Sequence, residues 1–131
     1  MDSQSYHFLH DIRKFCQKNH DYPPDAYNFL VESFNITLDR IKQEVDADQD
    51  ISAAFLLEGI KRYALEQYGA LAFHVLSEWN IHTTMDFGKM VFNLVQIGWF
   101  GKSDDDSIKD FDDVFSFEDA FVKPFLPAPQ K

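Results

Sequence analysis

The sequence predicts a mainly α-helical protein: a compact bundle of about five helices with an aromatic-rich strap near its C-terminal end. Three observations predict this fold class. Apolar residues recur every three or four positions over most of the first hundred residues, the periodicity of amphipathic helices. Residues that favour helix N-termini stand where several of these runs begin. Phenylalanine provides 14 of the 131 residues, so the chain has enough apolar bulk to bury a core.

The first two helices are separated by a turn that contains two prolines. The first helix is predicted to begin near Ser3 or Ser5 and to end before Asn19, with apolar residues on one face: Phe8, Ile12 and Phe15. Pro24 suits the first position of the second helix, because its missing N–H would be unpaired there in any case. That helix is predicted to span about 20 residues from the spacing of its apolar positions. These positions are Tyr27, Leu30, Phe34, Leu38, Ile41 and Val45.

Residues 51–100 form the central stretch, which we predict to be three helices joined by short turns and holding most of the core. Ser52 is placed to cap the first of them with its hydroxyl oxygen. Gly69 tolerates the positive φ that the C-terminal end of that helix requires. The second helix runs over about residues 70–79, where its apolar positions again repeat at helical spacing.

The third helix of the central stretch is expected to be the most buried element. Thr83 and Asp86 have the spacing of a capping box, in which each side chain accepts a hydrogen bond from the other's backbone N–H. The apolar arc that follows is wider than that of a surface helix, with Leu94 at its centre. Gly88 and Gly98 are expected to permit close packing along this helix.

Acidic residues outnumber basic ones, and the net charge is −10. Residues 104–119 alone contain eight acids and one lysine, a net charge of −7. The simplest interpretation is a soluble surface, and such a surface repels nucleic-acid backbones. We therefore expect no nucleic-acid partner. Residues 104–106 are three consecutive aspartates without the surrounding pattern of a metal site.

Several features favour a cytoplasmic protein. No stretch reaches 18 uncharged apolar residues, so we expect no membrane span. The N-terminal residues lack the long apolar run of a signal peptide. Cys16 is the one cysteine, which excludes an intrachain disulfide and suits a reducing compartment. Its place on the apolar face of the first helix favours a buried, inert thiol.

Four segments are similar to a conserved hypothetical protein family that recurs in planctomycete- and verrucomicrobium-type bacteria. They are YPPDAYNFLVESF (22–34), LLEGIKRYALEQYG (56–69), DFGKMVFNLVQIGWFGKSDDDS (86–107) and DFDDVFSFEDAF (110–121). The resemblance covers most of the chain and implies a cytoplasmic bacterial protein of about this size. It implies no activity and no catalytic residue.

The order of elements in the second half also resembles a winged-helix domain. Residues 87–98 would then be the recognition helix, and residues 99–117 would be the wing, a short β-hairpin. Reading DNA in this way requires Lys and Arg on both elements. The sequence offers Lys89, Lys102 and Lys109 among eight acids, so a fold of this type would serve protein contacts better than DNA.

Metal-dependent catalysis is a further alternative. His74 and Glu78 lie four residues apart on a polar helix face, a spacing that suits a divalent metal ion, and His82 could supply a third ligand from the following turn. An exposed ion pair is the simpler interpretation. His7 and His10, three apart in the first helix, have no further ligand in the pattern.

An acidic link between the second helix and the central stretch begins like a calcium-binding loop. Asp46, Asp48 and Asp50 occupy the first three ligand positions. Ile51 replaces the required glycine and Leu57 replaces the required glutamate, so we interpret the link as solvated.

The sequence therefore favours a non-catalytic protein-interaction domain, acting as an adaptor or by self-association. It contains no phosphate-binding loop, no nucleophile elbow and no zinc-protease motif, so no catalytic residue and no cofactor are predicted. The winged-helix regulator and the metal-dependent enzyme stay as alternatives. We assign residues 1–123 to a single helical domain and residues 124–131 to a frayed proline-rich tail.

Overall fold

The structure is a computed structural model that describes residues 3–44, 52–99 and 108–127; the side chains described in the first range are those of residues 7–40. The described residues contain five α-helices. They are α1 (Ser3–Cys16), α2 (Pro24–Glu44), α3 (Ala53–Tyr68), α4 (Ala72–Glu78) and α5 (Thr84–Gln96). The prediction of a mainly helical fold is confirmed. None of the described helices combines the length and apolarity needed to cross a lipid bilayer.

The C-terminal segment, residues 108–127, is called the strap below. It consists of short helical turns: a 3₁₀ turn at Ile108–Phe111, a π-helical turn at Glu118–Val122 and a 3₁₀ turn at Lys123–Phe125. Pro124 lies in the last of these turns. Its position at the start of that turn explains this, because a proline loses no hydrogen bond in the first turn of a helix. Residues 128–131 lie outside the described part of the chain.

Capping residues set the N-terminal ends of α3 and α5, as predicted. The Ser52 hydroxyl oxygen accepts a hydrogen bond from the N–H of Phe55, at 3.2 Å. Thr83 and Asp86 form the capping box at the start of α5. Gly69 ends α3 with φ +52°, a backbone conformation that favours glycine. These local signals explain why the helix boundaries follow so closely from the sequence.

The helices α4 and α5 end in the same way, in a left-handed residue that turns the chain back on itself. Asn80 has φ +64° after α4, and Gly98 has φ +85° after α5. In each case the following N–H closes the motif: Ile81 donates to the Leu76 carbonyl and Trp99 to the Leu94 carbonyl, both at 2.9 Å. Gly98 has open space where a side chain would project, so the expectation that it permits close packing is wrong.

The helices α2 and α3 form an antiparallel pair with a close crossing point. Tyr63 donates a hydrogen bond to Glu32, at 3.0 Å, and one turn or more along each helix Gly59 faces Thr37. A Cβ atom at Gly59 would lie 2.2 Å from the Thr37 hydroxyl oxygen, well inside contact distance. The backbones therefore approach at this point because position 59 has no side chain.

One core unites the five helices and the strap. The helix α5 contributes Phe87, Met90 and Leu94, each with no exposed area. The other fully buried large apolar side chains come from every remaining helix, the α4–α5 turn and the strap: Ile12, Tyr27, Leu30, Leu57, Ile60, Leu76, Ile81 and Phe121. The central stretch thus provides much of the core, and α1, α2 and the strap cover it.

The β-hairpin suggested by the winged-helix resemblance is not supported, because the described residues contain no β-strand. Two backbone groups of the strap bond to a side chain instead of to a neighbouring strand. The Thr84 hydroxyl donates to the Phe111 carbonyl at 2.6 Å and accepts from the N–H of Val114 at 3.1 Å. Asp113, with φ +51°, turns the backbone between them. Residues 100–107 of the expected wing lie outside the described residues.

We expect Leu94→Ala to lower the free energy of unfolding by about 2–5 kcal/mol, because it deletes buried methyl groups and leaves a cavity. Phe92→Ala is the matched control, since Phe92 lies on the same helix with about half of its surface exposed. Chemical denaturation followed by circular dichroism measures both. Equal losses in the two variants would show that α5 does not face the core as described.

Candidate functional site

The strap is fixed to α5 by a close contact. Position 88 lacks a side chain, and a Cβ atom there would lie 2.7 Å from Cβ of Phe111. The expected close packing at Gly88 is thus confirmed. Phe111 is buried, and Thr84 bonds to its carbonyl from the preceding turn of the helix. One face of α5 therefore sets where the strap begins.

Aromatic rings hold the middle of the strap. Phe117 and Phe121 are buried and meet edge to face, with ring centroids 5.1 Å apart. Phe117 also contacts Phe87 of α5, at 6.0 Å. Phe115 is only partly buried, and the ammonium group of Lys61 lies over its ring at 5.5 Å. The described strap is therefore part of the folded core and presents one fixed outer surface.

The outer side of the strap combines exposed apolar and acidic side chains; we call it the strap surface. Its apolar members keep between 36% and 57% of their area exposed: Ile108, Val114, Phe125 and Leu126. Its acidic members are also exposed: Asp110, Asp112, Asp113, Glu118 and Asp119. The hydrogen bond from Lys123 to Asp119, at 2.7 Å, raises the pKa of that lysine. Residues 108–127 carry five acids and two lysines, a net charge of −3.

A second constellation surrounds Asp86, where three parts of the chain meet. Tyr22, in the turn before α2, donates to Asp86 Oδ1 at 2.5 Å. The N–H groups of His82 and Thr83 donate to Oδ2, at 2.8 and 3.1 Å. Burial alone would raise the pKa of Asp86, but the bonds from Tyr22 and from these two N–H groups outweigh it and lower that pKa. Asp86 therefore acts as an anionic anchor.

The pKa of the Tyr22 phenol shifts in the opposite direction to that of Asp86. Burial raises the pKa of Tyr22 above its ordinary value, and the hydrogen bond to Asp86 raises it further. Burial likewise raises the pKa of Tyr63 to about 12, helped by its bond to Glu32. These phenols stay protonated at neutral pH and act as hydrogen-bond donors, so they position chain segments instead of moving protons.

The predicted metal ligands do not converge. His74 and Glu78 are exposed on α4, whereas the His82 ring lies 3.1 Å from the Asn80 side-chain oxygen. His7 and His10 are exposed on α1. Across the described ranges 3–44, 52–99 and 108–127, no group of three or more His, Cys, Asp or Glu side chains is placed to hold a metal ion. The aspartates at 46, 48 and 50 and those at 104–106 lie outside these ranges.

The Cys16 thiol is half-buried and donates to the Tyr22 carbonyl at 3.4 Å. Burial raises the pKa of this thiol, which disfavours the reactive thiolate. The structure thus places Cys16 where a structural role fits better than nucleophilic catalysis.

Sequence reasoning missed the polar bonds that join distant segments. Asn93 donates to the Tyr27 hydroxyl at 3.0 Å, and the Trp99 indole N–H donates to Asp11 at 2.9 Å. The capping-box spacing pointed to Asp86, but nothing in the sequence indicated its bond to Tyr22. Such partners lie more than sixty residues apart and become visible only after the helices are placed.

Comparison of the chain with protein-family models, with curated proteins and with solved structures finds no match. The resemblance to a bacterial family therefore stays a prediction.

Because the folded state lowers the pKa of Asp86, its contribution to stability is complete above the unfolded value of about 3.8 and is lost as the pH falls through the folded value. We expect Tyr22→Phe to cost about 1–3 kcal/mol at pH 7, the range for a hydrogen bond to a charged group. The difference from wild type should shrink as the pH falls below about 3.8, because protonation of Asp86 removes the charged acceptor.

Denaturation midpoints at several pH values measure this change. Tyr68→Phe is the matched control, because Tyr68 is half-buried and its described contacts are with Phe29 and Trp79. A Tyr22→Phe difference that stays constant from pH 7 to the lowest pH at which the wild type is folded would contradict an ionised Asp86 as the acceptor.

We expect protein purified without an affinity tag to contain no stoichiometric zinc, nickel or iron. The exposed positions of His74 and Glu78 and the bonding of His82 to Asn80 leave no converged ligand set among them. Elemental analysis is the measurement. About one metal ion per chain, lost in His74→Ala but kept in the control His7→Ala, would restore the metal-dependent alternative.

Proposed function

We propose that the chain is a non-catalytic protein-interaction domain whose strap surface binds a basic, partly apolar segment of another protein. One observation carries the proposal. Phe125 and Leu126, consecutive at the end of the strap, expose 46% and 57% of their areas on a segment that also carries five exposed acidic side chains. The proposal includes the cytoplasmic location that the sequence predicts.

The apolar part of this surface supports binding. Single exposed apolar residues are common on protein surfaces and carry little information. Here two large neighbours, Phe125 and Leu126, are exposed together, and Val114 and Ile108 add exposed area on the same segment. Aromatic side chains at the centre of an interface often contribute most of its binding energy. Covering Phe125 and Leu126 is therefore the expected source of affinity.

The charge of the strap surface supports a basic partner. Carboxylates around an apolar centre speed the approach of a positively charged segment, and this effect weakens as salt screens it. Two strap surfaces brought together would place like charges side by side, so we favour a different protein over a second copy. The same charge opposes DNA, because affinity for a duplex depends on neutralising phosphates with Lys and Arg.

The fixed backbone of the strap also supports recognition. Buried Phe111, Phe117 and Phe121 anchor it, and the Thr84 hydroxyl holds its backbone at two points. A surface that is ordered before binding loses less conformational entropy when a partner docks. The strap could therefore bind a partner without first having to become ordered.

The test compares partner capture by the wild type, by Phe125→Ser with Leu126→Ser, and by a control, Phe55→Ser. Phe55 is as exposed as Phe125, at 46%. It lies about 120° around α3 from Lys61, the residue of that helix that contacts Phe115 of the strap, so it is on a different face of the helix. We expect quantitative mass spectrometry to find a protein that binds to the wild type and to the control but not to the double variant. Added salt should weaken this binding.

The affinity of the basic segment of that protein is then measured directly. It should be similar for wild type and for Phe55→Ser and much weaker for the double variant. Loss of capture in both variants, or in neither, would contradict the assignment to the strap surface. Sedimentation of the purified chain tests self-association, and a dimer abolished by the double variant would replace the partner with a second copy. A sequence-selective DNA gel shift that survives physiological salt would favour the regulator instead.

A further inference from the structure

A cleft of about 420 Å³ lies away from the strap, between the turn that joins α1 to α2 and the C-terminal end of α4. Its volume falls in the range of about 300–1,000 Å³ that is usual for small-molecule sites. Its lining includes Asp21, Tyr22, Pro23, Pro24, Glu78 and Trp79. The strap surface and this cleft share no residue, so the inference is independent of the proposed function.

Hydrogen bonds hold the two walls of the cleft together. The Asn80 side-chain amide donates to the Asp21 carbonyl at 3.0 Å, which joins the end of α4 to the α1–α2 turn. On the turn itself, the Cys16 thiol bonds to the Tyr22 carbonyl and the Tyr22 hydroxyl bonds to Asp86. A ligand would therefore meet a cleft that is already formed.

The electrostatics of the cleft favour a cation. Asp21 stands on one wall and Glu78 on the other, and both side chains are exposed. The C-terminal ends of α1 and α4, which carry partial negative charge, also border it through Cys16 and Trp79. Two separate chain segments thus each contribute one exposed acidic side chain to the lining of the same cleft.

The remaining lining favours an organic cation over a metal ion. Trp79 is half-buried, and Phe29 and Tyr68 support its ring at centroid distances of 5.5 and 6.1 Å. Pro23 and Pro24 add apolar surface. Ammonium groups with carbon substituents gain from aromatic faces and from carboxylates together, whereas hard metal ions require converging oxygen ligands. No such converging set occurs within the described residues.

We propose that this cleft binds an organic ammonium group, with Trp79 as its aromatic lining and Asp21 and Glu78 as its counter-charges. The group could be carried by a free small molecule or by a methylated lysine side chain, since both present the same trialkylammonium chemistry. His20 also borders the cleft.

The first experiment is an NMR titration of the full chain with choline, using 3,3-dimethylbutan-1-ol as the neutral molecule of the same shape. The chain has two tryptophans, so the indole N–H signals give an internal comparison. We expect choline to shift the Trp79 indole signal and to leave that of Trp99, which is bonded to Asp11, in place. The neutral molecule should shift neither.

Three charge-removing variants then locate the site. Asp21→Asn and Glu78→Gln should each weaken choline binding about two- to fivefold, the effect of one exposed counter-charge. Asp39→Asn removes the same charge from an exposed position of α2 and should leave binding unchanged. Equal effects of all three variants, equal shifts by the neutral molecule, or equal shifts at Trp79 by magnesium chloride would overturn the proposal.

A peptide containing trimethyllysine distinguishes the two sources of the group. Tighter binding of this peptide than of choline, lost with its unmodified-lysine counterpart, assigns the cleft to a protein side chain. Choline binding as tight as that of the peptide assigns it to a small molecule. Failure of both ligands to shift Trp79 overturns the site and leaves the strap-surface proposal untouched.

Discussion

The carboxylate of Asp86 is the constraint on which the arrangement of the helices depends. It accepts hydrogen bonds from Tyr22 and from the backbone at the start of α5, so it joins the turn before α2 to the start of α5. The position of α5 in turn determines where the strap packs, because Thr84 and Gly88 of this helix contact Phe111 of the strap. A half-buried charge is stable here because every bond to it comes from a donor already fixed by the fold.

The two candidate surfaces use different physical means of recognition. The strap surface presents exposed apolar and acidic side chains on one segment, which suits an extended partner. The cleft between α1 and α4 is concave and combines an aromatic ring with carboxylates, which suits a small charged group. Both are held in shape by contacts to the core, so neither requires the helices to rearrange on binding. A protein could occupy the first while a modified side chain or metabolite occupies the second.

Sequence reasoning succeeded where structure is decided locally. The five helices followed from apolar periodicity, and Ser52, Thr83 and Gly69 marked their ends because capping depends on neighbours within a few residues. It failed where a distant group competes for the backbone. The winged-helix resemblance implied a hairpin within residues 99–117, but the Thr84 hydroxyl bonds to the Phe111 carbonyl and the Val114 N–H of the strap. The bond from Tyr22 to Asp86 and the cleft beside Asn80 likewise required the tertiary arrangement.

The crossing of α2 and α3 has a consequence for how this sequence can diverge. Position 59 has no room for a methyl group while position 37 carries threonine, whose hydroxyl is also occupied by the Ser33 carbonyl. A larger residue at 59 is compatible with the same helix separation only if position 37 becomes smaller. Related sequences that keep this fold should therefore change the two positions together. Such a correlated pair would identify distant relatives even where their surfaces have lost all similarity.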